Sequence, residues 1–442
     1  MNKIKIFITV FTLLILILFT FKVNFKQDLV WNIKNLFPQK IVFQLKKLYI
    51  FYIHNLKNEI ILEKKDEIII SSTKSRDFDF ISYNNNFFKK NGPKVFLEVY
   101  ENKLLTITGT GLISFTDIEI FDQKKKLKVI RSNITSFVNF EQIVKNPGFI
   151  LNMKIFKDKI FVSYINELKK DCFNTIFLKA QIDFKKINFQ KIYNPNECVN
   201  KENVYGEFYI AEAGGAMDII NEDQMFVSTG TFRFRDFAQN KENIFGKILL
   251  VDLKKNTQNI VSMGHRNVQG IHYDNEKNIL LFSDHGPQGG DEINLDLNPL
   301  NNNISNYGWP IASYGEHYGG MIEKNKKKYE KAPLYKSHKK YGFVEPLKYF
   351  VPSIAPSDIL YVPQEFDPSF KNNLYLSSLG YKNDKGRRSI HTFEFNSNYQ
   401  LDNHEILPLN DRVRDIEYYP KSNSILLFLE KTASIGFLKK RN

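Results

Sequence analysis

The sequence is short of several residue types and patterns on which common sites depend. It contains only two cysteines, Cys172 and Cys198, in 442 residues. Neither belongs to a CxxC motif or has a His partner, so a zinc site is not indicated. An oxidising compartment would permit a disulfide that closes a modest loop, and two unpaired thiols are the alternative. No Ser-His-Asp order, P-loop, HExxH motif or dinucleotide fingerprint is recognisable, which leaves hydrolase, NTPase and NAD-dependent functions without support.

Long apolar runs are also scarce. The one candidate, Ile6 to Phe21, has lysines on both sides. It is about long enough for a signal sequence and slightly short for a membrane span, and no small-x-small cleavage site follows it. We therefore predict an uncleaved anchor over 1–27, with a cleaved signal peptide as the alternative. Either would export the remainder and place it in the periplasm or outside the membrane.

The charge is one-sided, with a formal net charge of +14. The lysines are scattered, and there is no Arg-rich block or nucleic-acid motif. We therefore predict no nucleic-acid partner, although attraction to an anionic membrane or glycan is compatible with this charge. Residues 28–85 resemble a membrane-proximal segment: Leu36 to Leu56 has loose helical spacing, and Ile60 to Ser72 resembles strands.

The rest of the chain, 86–442, contains a repeat of β-hairpins at fairly regular intervals. Each unit is an apolar strand, a polar turn and a second strand. Six such units predict an all-β, six-bladed β-propeller, whereas a β-sandwich array explains six similar hairpins less well. The second strands begin near Asn102, Asp158, Asp223, Lys277, Asn372 and Asn423.

One stretch, 264–318, is unusually rich in Gly, His and amides. It contains the segments GHRN at 264–267, DHGPQGGDEIN at 284–294 and NYGWP at 306–310. Gly and Pro indicate tight loops, and loops positioned by a rigid scaffold often bind ligands. The loops that enter the inner strands of a propeller open at one end of its channel, so we predict a single pocket there. These loops contain 146–148, 212–215, 265–267, 356–357 and 412–414.

These segments resemble the glucose/sorbosone dehydrogenase family, the soluble PQQ-dependent aldose dehydrogenases. The resemblance covers about 90–440. The order GHRNxQG, HGPxGGDEIN and NYGWP is its most specific part. It implies a six-bladed propeller that binds PQQ and calcium at the channel mouth and oxidises an aldose or oligosaccharide at the anomeric carbon. Calcium would act as a Lewis acid, and the electrons would pass to a respiratory acceptor.

The resemblance also implies roles for individual residues. PQQ would be contacted by Arg266, Asn267, His285, Arg412 and Arg414, since a forked guanidinium suits a carboxylate. The carbonyl groups of Gly286 and Pro287 would bind the calcium that activates the cofactor. Asp291 and Glu292 match a loop that can hold a second, structural calcium.

The sequence departs from the family at several of these positions. The family's catalytic His belongs to a His-x-Gly-Gly-Arg pattern, and here Glu212 and Ala216 replace its His and Arg. A Gln that contacts PQQ is replaced in the segment 146–150. A Lys of the fifth hairpin is Gly380 here, with Lys382 two positions later. We predict that Glu212 is the base, because a carboxylate in a closed pocket can serve that purpose.

Each of these assignments has a simpler alternative. Glu212 would be a solvated loop residue, Arg266 would cap strands or pair with Asp284, and His285 would be a core histidine. Asp291 and Glu292 would cap a turn. Three aromatic residues are candidates for stacking on a sugar or for packing between blades: Tyr307, Trp309 and Tyr314. If the chemistry is lost, the protein would be an inactive propeller that binds a glycan or an envelope protein.

Overall fold

The structure is a computed structural model that describes residues 38–441, apart from 92–93, 119–122, 139, 146–147, 203–205, 256, 369–371 and 381–386. The predicted anchor at 1–27 lies outside the described residues, and so do Asn146 and Pro147 of one predicted loop. In the part of the chain that is described, no helix is both long and apolar enough to cross a membrane.

The chain divides into two compact units, Met1–Leu56 and Lys57–Asn442. The described part of the first unit contains the helix α1 (Gln39–Asn55), which confirms the predicted helical spacing. The second unit contains three short helices among its described residues: α2 (Asn86–Lys90), α3 (Phe140–Lys145) and α4 (Lys326–Lys331).

The described residues of the second unit form 28 strands. In chain order they are β1 (Glu59–Ser71), β2 (Asp77–Asn84), β3 (Val95–Tyr100), β4 (Lys103–Thr108), β5 (Ile113–Asp117), β6 (Lys124–Ser132), β7 (Ile150–Phe156), β8 (Lys159–Lys169), β9 (Cys172–Gln181), β10 (Lys186–Ile187), β11 (Gln190–Tyr193), β12 (Val199–Asn200), β13 (Gly214–Ile219), β14 (Gln224–Thr229), β15 (Lys247–Asp252), β16 (Thr257–Met263), β17 (Val268–Asp274), β18 (Ile279–Asp284), β19 (Asp291–Asp296), β20 (Ser305–Asn306), β21 (Lys348–Phe350), β22 (Pro356–Val362), β23 (Asn373–Ser378), β24 (Ser389–Phe395), β25 (Leu401–Pro408), β26 (Val413–Tyr419), β27 (Ser424–Leu429) and β28 (Ser434–Lys440). The predicted all-β class is confirmed.

The strands form antiparallel meanders, and each of the six predicted hairpins is present. They are β3–β4, β7–β8, β13–β14, β17–β18, β22–β23 and β26–β27. Their second strands carry continuous apolar runs because they are covered on both faces; in β23 and β27 every residue is buried. We call the first strands of the hairpins the inner strands.

The inner strands contact one another in a closed cycle: β3, β7, β13, β17, β22, β26 and again β3. Carboxylates on four of them accept hydrogen bonds from backbone amides of the next strand in the cycle, which satisfies polar groups where the strands meet. These bonds join Glu98 to Ile155 N at 3.1 Å, Asp218 to Tyr273 N at 2.7 Å, Asp358 to Ile416 N at 3.4 Å, and Asp415 to Leu97 N at 2.5 Å.

The strands β1 and β2 join the outer strand of the last meander to the outer strand of the first. β2 pairs with β28, and β1 pairs with both β2 and β6, so one ten-stranded sheet joins the last meander to the first. The sequence analysis assigned these strands to a segment that ends at residue 85, before the propeller. They belong to its sheet instead, because their partners lie far along the chain and local spacing does not reveal such pairing.

The two cysteines form a disulfide, with Cα atoms 5.4 Å apart. Cys172 begins β9, and Cys198 directly precedes β12, which pairs with β9. The disulfide therefore fastens the end of a long connection to the sheet, and the alternative of two unpaired thiols is wrong.

The hydrogen bonds between inner strands predict a specific loss of stability. Asp218→Ala removes the acceptor of the Tyr273 and Ile219 amides, so we expect the free energy of unfolding to fall by about 1–3 kcal/mol. Chemical denaturation would measure the change. Asp223→Ala, at an exposed side chain in the following turn, is the control. Equal stability of the two variants would contradict the assignment.

Candidate functional site

The predicted site residues lie where loops enter or leave the inner hairpins. Glu212 precedes β13, Arg266 and Asn267 precede β17, His285 follows β18, and Arg412 and Arg414 lie at the start of β26. Burial and the charges of Arg266 and Arg414 lower the pKa of His285 to about 4. The charges of two arginines from other loops therefore act on the imidazole of His285, which is neutral at pH 7.

Glu212 is the central carboxylate of this region and is only 2% exposed. Its Oε1 accepts hydrogen bonds from Arg266 Nη2 at 2.5 Å and from Arg233 Nε at 2.9 Å. Its Oε2 is buried and has no hydrogen-bond partner among the described residues. The alternative of a solvated loop residue is wrong. A buried acceptor without a donor is costly, so Oε2 marks a place where a ligand can donate.

Glu212 opens onto a cleft of about 260 Å³ whose lining includes Arg233, Arg266, Trp309 and Tyr318. A second cleft of about 230 Å³ shares Arg266 and Trp309 with the first and extends toward His285.

Asp284 determines the shape of the GHRN loop. Its two oxygens accept hydrogen bonds from the backbone amides of Arg266 at 3.0 Å and of Asn267 at 2.7 Å. This leaves the Arg266 guanidinium free to reach Glu212, so the predicted alternative of a side-chain pair with Asp284 is not what the structure shows. Asn267 Oδ1 accepts from Gly214 N at 3.0 Å. In this structure the predicted cofactor contact Asn267 therefore joins two loops.

His285 is held by protein partners as well. Its Nε2 is hydrogen-bonded to the carbonyl of Pro356, and its own carbonyl accepts from Arg266 Nη1 at 3.0 Å. The imidazole thus connects the loop after β18 to the start of β22. His285 lines the second cleft, and its Nε2 already has a hydrogen-bond partner.

Arg412 and Arg414, predicted to contact PQQ, both bind a carboxylate of the protein that the sequence analysis did not single out. Their Nε atoms donate to the two oxygens of Glu430, at 2.7 Å and 2.6 Å. Arg414 is buried, whereas the side chain of Arg412 is 36% exposed. One carboxylate therefore orients two guanidinium groups toward the same side of the loop.

The predicted calcium ligands are largely occupied by protein donors. Asp291 accepts from the amides of Gly286 at 2.9 Å and of Ile354 and Ala355, both at 2.7 Å. The carbonyl of Pro287 accepts from Ser353 Oγ at 3.2 Å. These bonds are those of a turn-capping residue, the alternative considered for Asp291.

Glu292 does not complete a calcium site either. Its Oε2 accepts from Asn294 at 3.0 Å, and its Oε1 lies 3.3 Å from His338 Nε2. Burial, joined by the charges of Asp284 and Asp291, raises its pKa well above the usual value. Within the described ranges, no group of three His, Cys, Asp or Glu side chains could hold a metal. The side chains of Asp291 and Glu292 therefore do not fit the predicted structural calcium.

Of the two roles considered for the three aromatic residues, stacking on a sugar and packing within the protein, their contacts fit packing. Tyr307 and Trp309 are buried, and Tyr314 stacks on Tyr349 with ring centroids 3.7 Å apart. Tyr318 lines the first cleft and is 54% exposed, and Tyr209, 47% exposed, lies against the Arg233 side chain of that cleft. They are better placed to stack on a sugar.

Arg233 is a site residue that the sequence analysis missed. Its guanidinium lies 4.6 Å from the Tyr209 ring centroid and 5.4 Å from that of Tyr318, while its Nε holds Glu212. Phe232 and Arg233 have φ values of 50° and 72°. This left-handed conformation costs on the order of 1–2 kcal/mol per residue, and such strain often accompanies functional loops. The alternation of Phe and Arg after β14 was the available signal, but it does not indicate the contact with Glu212.

Comparison with known proteins identifies the family of this chain. The family model described as glucose/sorbosone dehydrogenase matches residues 155–436, more than half of the chain. The chain belongs to the glucose/sorbosone dehydrogenase family. All the residues that line the two clefts, from Glu212 to Tyr318, lie within the matched region.

Individual members of the family are distant relatives. The aldose sugar dehydrogenase YliI of Escherichia coli is 26% identical over 52% of this chain and 60% of its own length, and another curated relative is matched over 45% of its length. The chain thus spans about half the length of the curated relatives it matches.

Solved structures show the same fold. The apo form of the soluble aldose sugar dehydrogenase from E. coli has a TM-score of 0.61 at 18% identity, covering 87% of this chain and 99% of that one. The PQQ-bound aldose sugar dehydrogenase from Streptomyces coelicolor has a TM-score of 0.51 at 15% identity, covering 79% and 100%.

The buried pair of Arg266 and Glu212 predicts a measurable coupling. Arg266→Met should lower the free energy of unfolding by roughly 3 kcal/mol, the lower end for a broken buried pair, because Arg233 still contacts Glu212. The double variant with Glu212→Gln should lose less than the sum of the single variants. Urea denaturation of all four proteins would measure this.

The exposed pair of Arg441 and Asp79, 2.8 Å apart, is the control for that cycle. Its coupling should be about 0–1 kcal/mol. A coupling for Arg266 and Glu212 that is no larger than this would contradict a buried, energetically linked pair.

The hydrogen bonds of Asp291 and Glu292 lead to a second prediction. Because Asp291 and Glu292 already have protein donors, we expect that saturating Ca²⁺ or a chelator leaves the melting temperature nearly unchanged. Differential scanning calorimetry would check this. A rise in melting temperature with Ca²⁺ that Glu292→Gln abolishes would show that this loop binds calcium.

Proposed function

We propose that this protein is a dehydrogenase that oxidises an aldose at the anomeric carbon, in the cleft beside Glu212. The observation that carries the proposal is the carboxylate itself: Glu212 lines the cleft, its Oε1 is fixed by two guanidinium groups, and its buried Oε2 has no donor among the described residues. A sugar hydroxyl is a donor of the required kind. The family relationship supports the same reaction class.

In this proposal Glu212 is the proton acceptor. Oxidation of the anomeric carbon removes two electrons and two protons, and the hydroxyl proton passes to Oε2. Arg233 and Arg266 hold the carboxylate in one orientation, which is what a general base requires. The exposed rings of Tyr209 and Tyr318 would contact the sugar at the edge of the cleft and limit the access of water.

The cofactor of the proposed reaction is PQQ. Its carboxylates match the chemistry of Arg266, Arg412 and Arg414, which can offer planar pairs of N–H donors. When bound, PQQ would supply the two-electron acceptor. Some N–H groups of these three arginines already donate to Glu212 and Glu430. The remaining N–H groups are available to a ligand.

Calcium has no step in the proposal. The side chains of Asp291 and Glu292 do not fit it, and the Pro287 carbonyl is already an acceptor for Ser353. Gly286 and Pro287 could contribute only backbone carbonyls, fewer than the six to eight oxygens that Ca²⁺ prefers.

We also propose where in the cell envelope the reaction takes place. We interpret the six meanders as the blades of a six-bladed propeller, exported to the periplasm or the outer face of the membrane and held there by an N-terminal anchor. Electrons would leave to a respiratory acceptor. Protease accessibility in intact cells and spheroplasts would test the location.

The test of the reaction is dye-linked aldose oxidation by the full-length protein loaded with PQQ. Glu212→Gln should lower kcat by about 10²–10⁴-fold, because it removes the general base. Glu222→Gln is the matched control, since Glu222 is exposed, pairs with Lys157 and Lys159, and does not line either cleft. It should retain the activity.

Two results would overturn the proposal. Full activity in Glu212→Gln would remove Glu212 as the base. No oxidation of any aldose by the PQQ-loaded protein would favour the other function predicted from the sequence, an inactive propeller that binds a glycan. A glycan array would then be the next measurement.

A further inference from the structure

The cleft beside Glu212 carries more positive than negative charge. Its lining, within the described residues, contains three arginines and one carboxylate: Arg233, Arg235, Arg266 and Glu212. His317 also lines the cleft, but burial lowers its pKa, so this imidazole is neutral at pH 7. Guanidinium groups in excess are costly in a partly closed cleft, and a ligand that carries an anionic group would offset this cost.

The carboxylates that pair with these arginines are each shared between two cations. Oε1 of Glu212 accepts hydrogen bonds from both Arg233 and Arg266. Glu207, which pairs with Arg235, also pairs with a lysine. Neither carboxylate therefore neutralises the cations around it. The proposed cofactor would contact Arg266 but neither of the other two arginines.

Arg233 is the cation best placed to bind an anionic group of the substrate. Its Nε donates to Glu212 at 2.9 Å, and its Nη groups make no hydrogen bond within the described part of the chain. The guanidinium carbon lies over the rings of Tyr209 and Tyr318, 4.6 Å and 5.4 Å from their centroids. These rings attract the cation and restrict its position without accepting conventional hydrogen bonds. The side chain lines the cleft and is 27% exposed, so a ligand in the cleft can reach its Nη donors.

Proton transfer to Glu212 increases the need for an anion. In the proposed reaction, Glu212 takes up the hydroxyl proton of the sugar and loses its charge. Arg233 and Arg266, which both donate to it, then lose their counter-charge. Loss of one charge of a buried pair is strongly unfavourable. A carboxylate of the sugar beside Arg233 would replace the lost charge at this step.

We propose that the substrate is a hexuronic acid, an aldose whose carbon 6 is a carboxylate, and that Arg233 binds this carboxylate through its Nη groups. The inference rests on the proposed function, because it names the substrate class of the same site. A guanidinium edge presents parallel N–H donors that match the two oxygens of a carboxylate. Arg233 is thus a specificity-determining residue.

One sugar can contact Glu212 and Arg233 together. In a pyranose, carbons 1 and 5 flank the ring oxygen, so the hydroxyl on carbon 1 and the carboxylate on carbon 5 lie along one edge of the ring. Glu212 and Arg233 are neighbours in the cleft, joined by their own hydrogen bond. Oxidation removes the hydrogen of carbon 1 and the hydroxyl proton and gives a lactone. The two electrons pass to the PQQ of the proposed function, and the carboxylate is unchanged.

Dye-linked oxidation by the full-length protein loaded with PQQ would test the substrate class. The probes are D-glucuronate against D-glucose and D-galacturonate against D-galactose, since each pair differs only at carbon 6. We expect kcat/KM to be about tenfold or more higher for the acids, the usual effect of a charge-assisted hydrogen bond. Arg233→Met should abolish this preference, and Arg233→Lys should keep much of it.

The ratio between acid and neutral sugar is the readout because Arg233 also holds Glu212, so its loss would slow the oxidation of both. Arg441→Met removes an exposed arginine that pairs with Asp79 and is the matched control. It should leave the ratio unchanged. Melting temperatures would confirm that each variant is folded.

Ionic strength provides a signature that a merely structural role of Arg233 would not produce. Salt screens charge recognition, so KM should rise with NaCl more for D-glucuronate than for D-glucose. This difference should disappear in Arg233→Met and persist in Arg441→Met.

Calorimetric binding of D-glucuronate separates this inference from the proposed function. Binding that weakens in Arg233→Met but not in Arg441→Met supports the site even when no sugar is oxidised, and the proposed function alone then fails. Oxidation of D-glucose as efficient as that of D-glucuronate overturns the inference and leaves the proposed function intact.

Three further results would also overturn the inference. The first is a preference for the acid that Arg233→Met leaves unchanged. The second is the absence of both binding and oxidation of D-glucuronate. The third is a preference for glucose 6-phosphate over D-glucuronate, which would replace the carboxylate by a phosphate as the recognised group.

Discussion

The structure depends on hydrogen bonds between carboxylates on the inner strands and backbone amides of the adjacent inner strands. Sheets that meet edge to edge around a channel leave polar backbone groups at the junctions, and these must find partners. Asp218, Asp358 and Asp415 supply acceptors there, and each joins one meander to the next. The positions of the loops that contain Glu212, Arg266 and Arg412 follow from these junctions, since each of these residues lies shortly before an inner strand.

This arrangement concentrates acidic groups inside the channel. Burial, reinforced by neighbouring carboxylates, raises the pKa of Asp415 and Glu417 well above their usual values. Lys154 lies among them; burial opposes its charged form, but the carboxylates of Glu98 and Asp358 outweigh this and raise its pKa. The raised pKa values of Asp415 and Glu417 favour their protonated, neutral forms, and Lys154 provides a counter-charge for the carboxylates that remain ionised.

The sequence allowed prediction of local features and failed where a partner is distant or a conformation is strained. The six hairpins were predictable because each strand is followed by its own partner, and GHRN is a compact motif whose loop is held by Asp284. The arginines 412 and 414 were found, but not Glu430, because an isolated Glu at a strand end has no distinguishing pattern. Arg233 reaches Glu212 from a left-handed turn, which only coordinates reveal.

The pairing of β2 with β28 has a consequence for the order of events during synthesis. β2 is synthesised early, and one of its edges stays unpaired until the last strand of the chain has been made. Unpaired strand edges can pair with wrong strands. Asp79 lies on this edge, where its charge discourages pairing with an arbitrary apolar strand. When β28 arrives, Lys439 aligns with Asp79 and Arg441 pairs with it at 2.8 Å. The same carboxylate thus discourages foreign strands while the edge is unpaired, although its exposed pair with Arg441 adds little to the stability of the completed sheet.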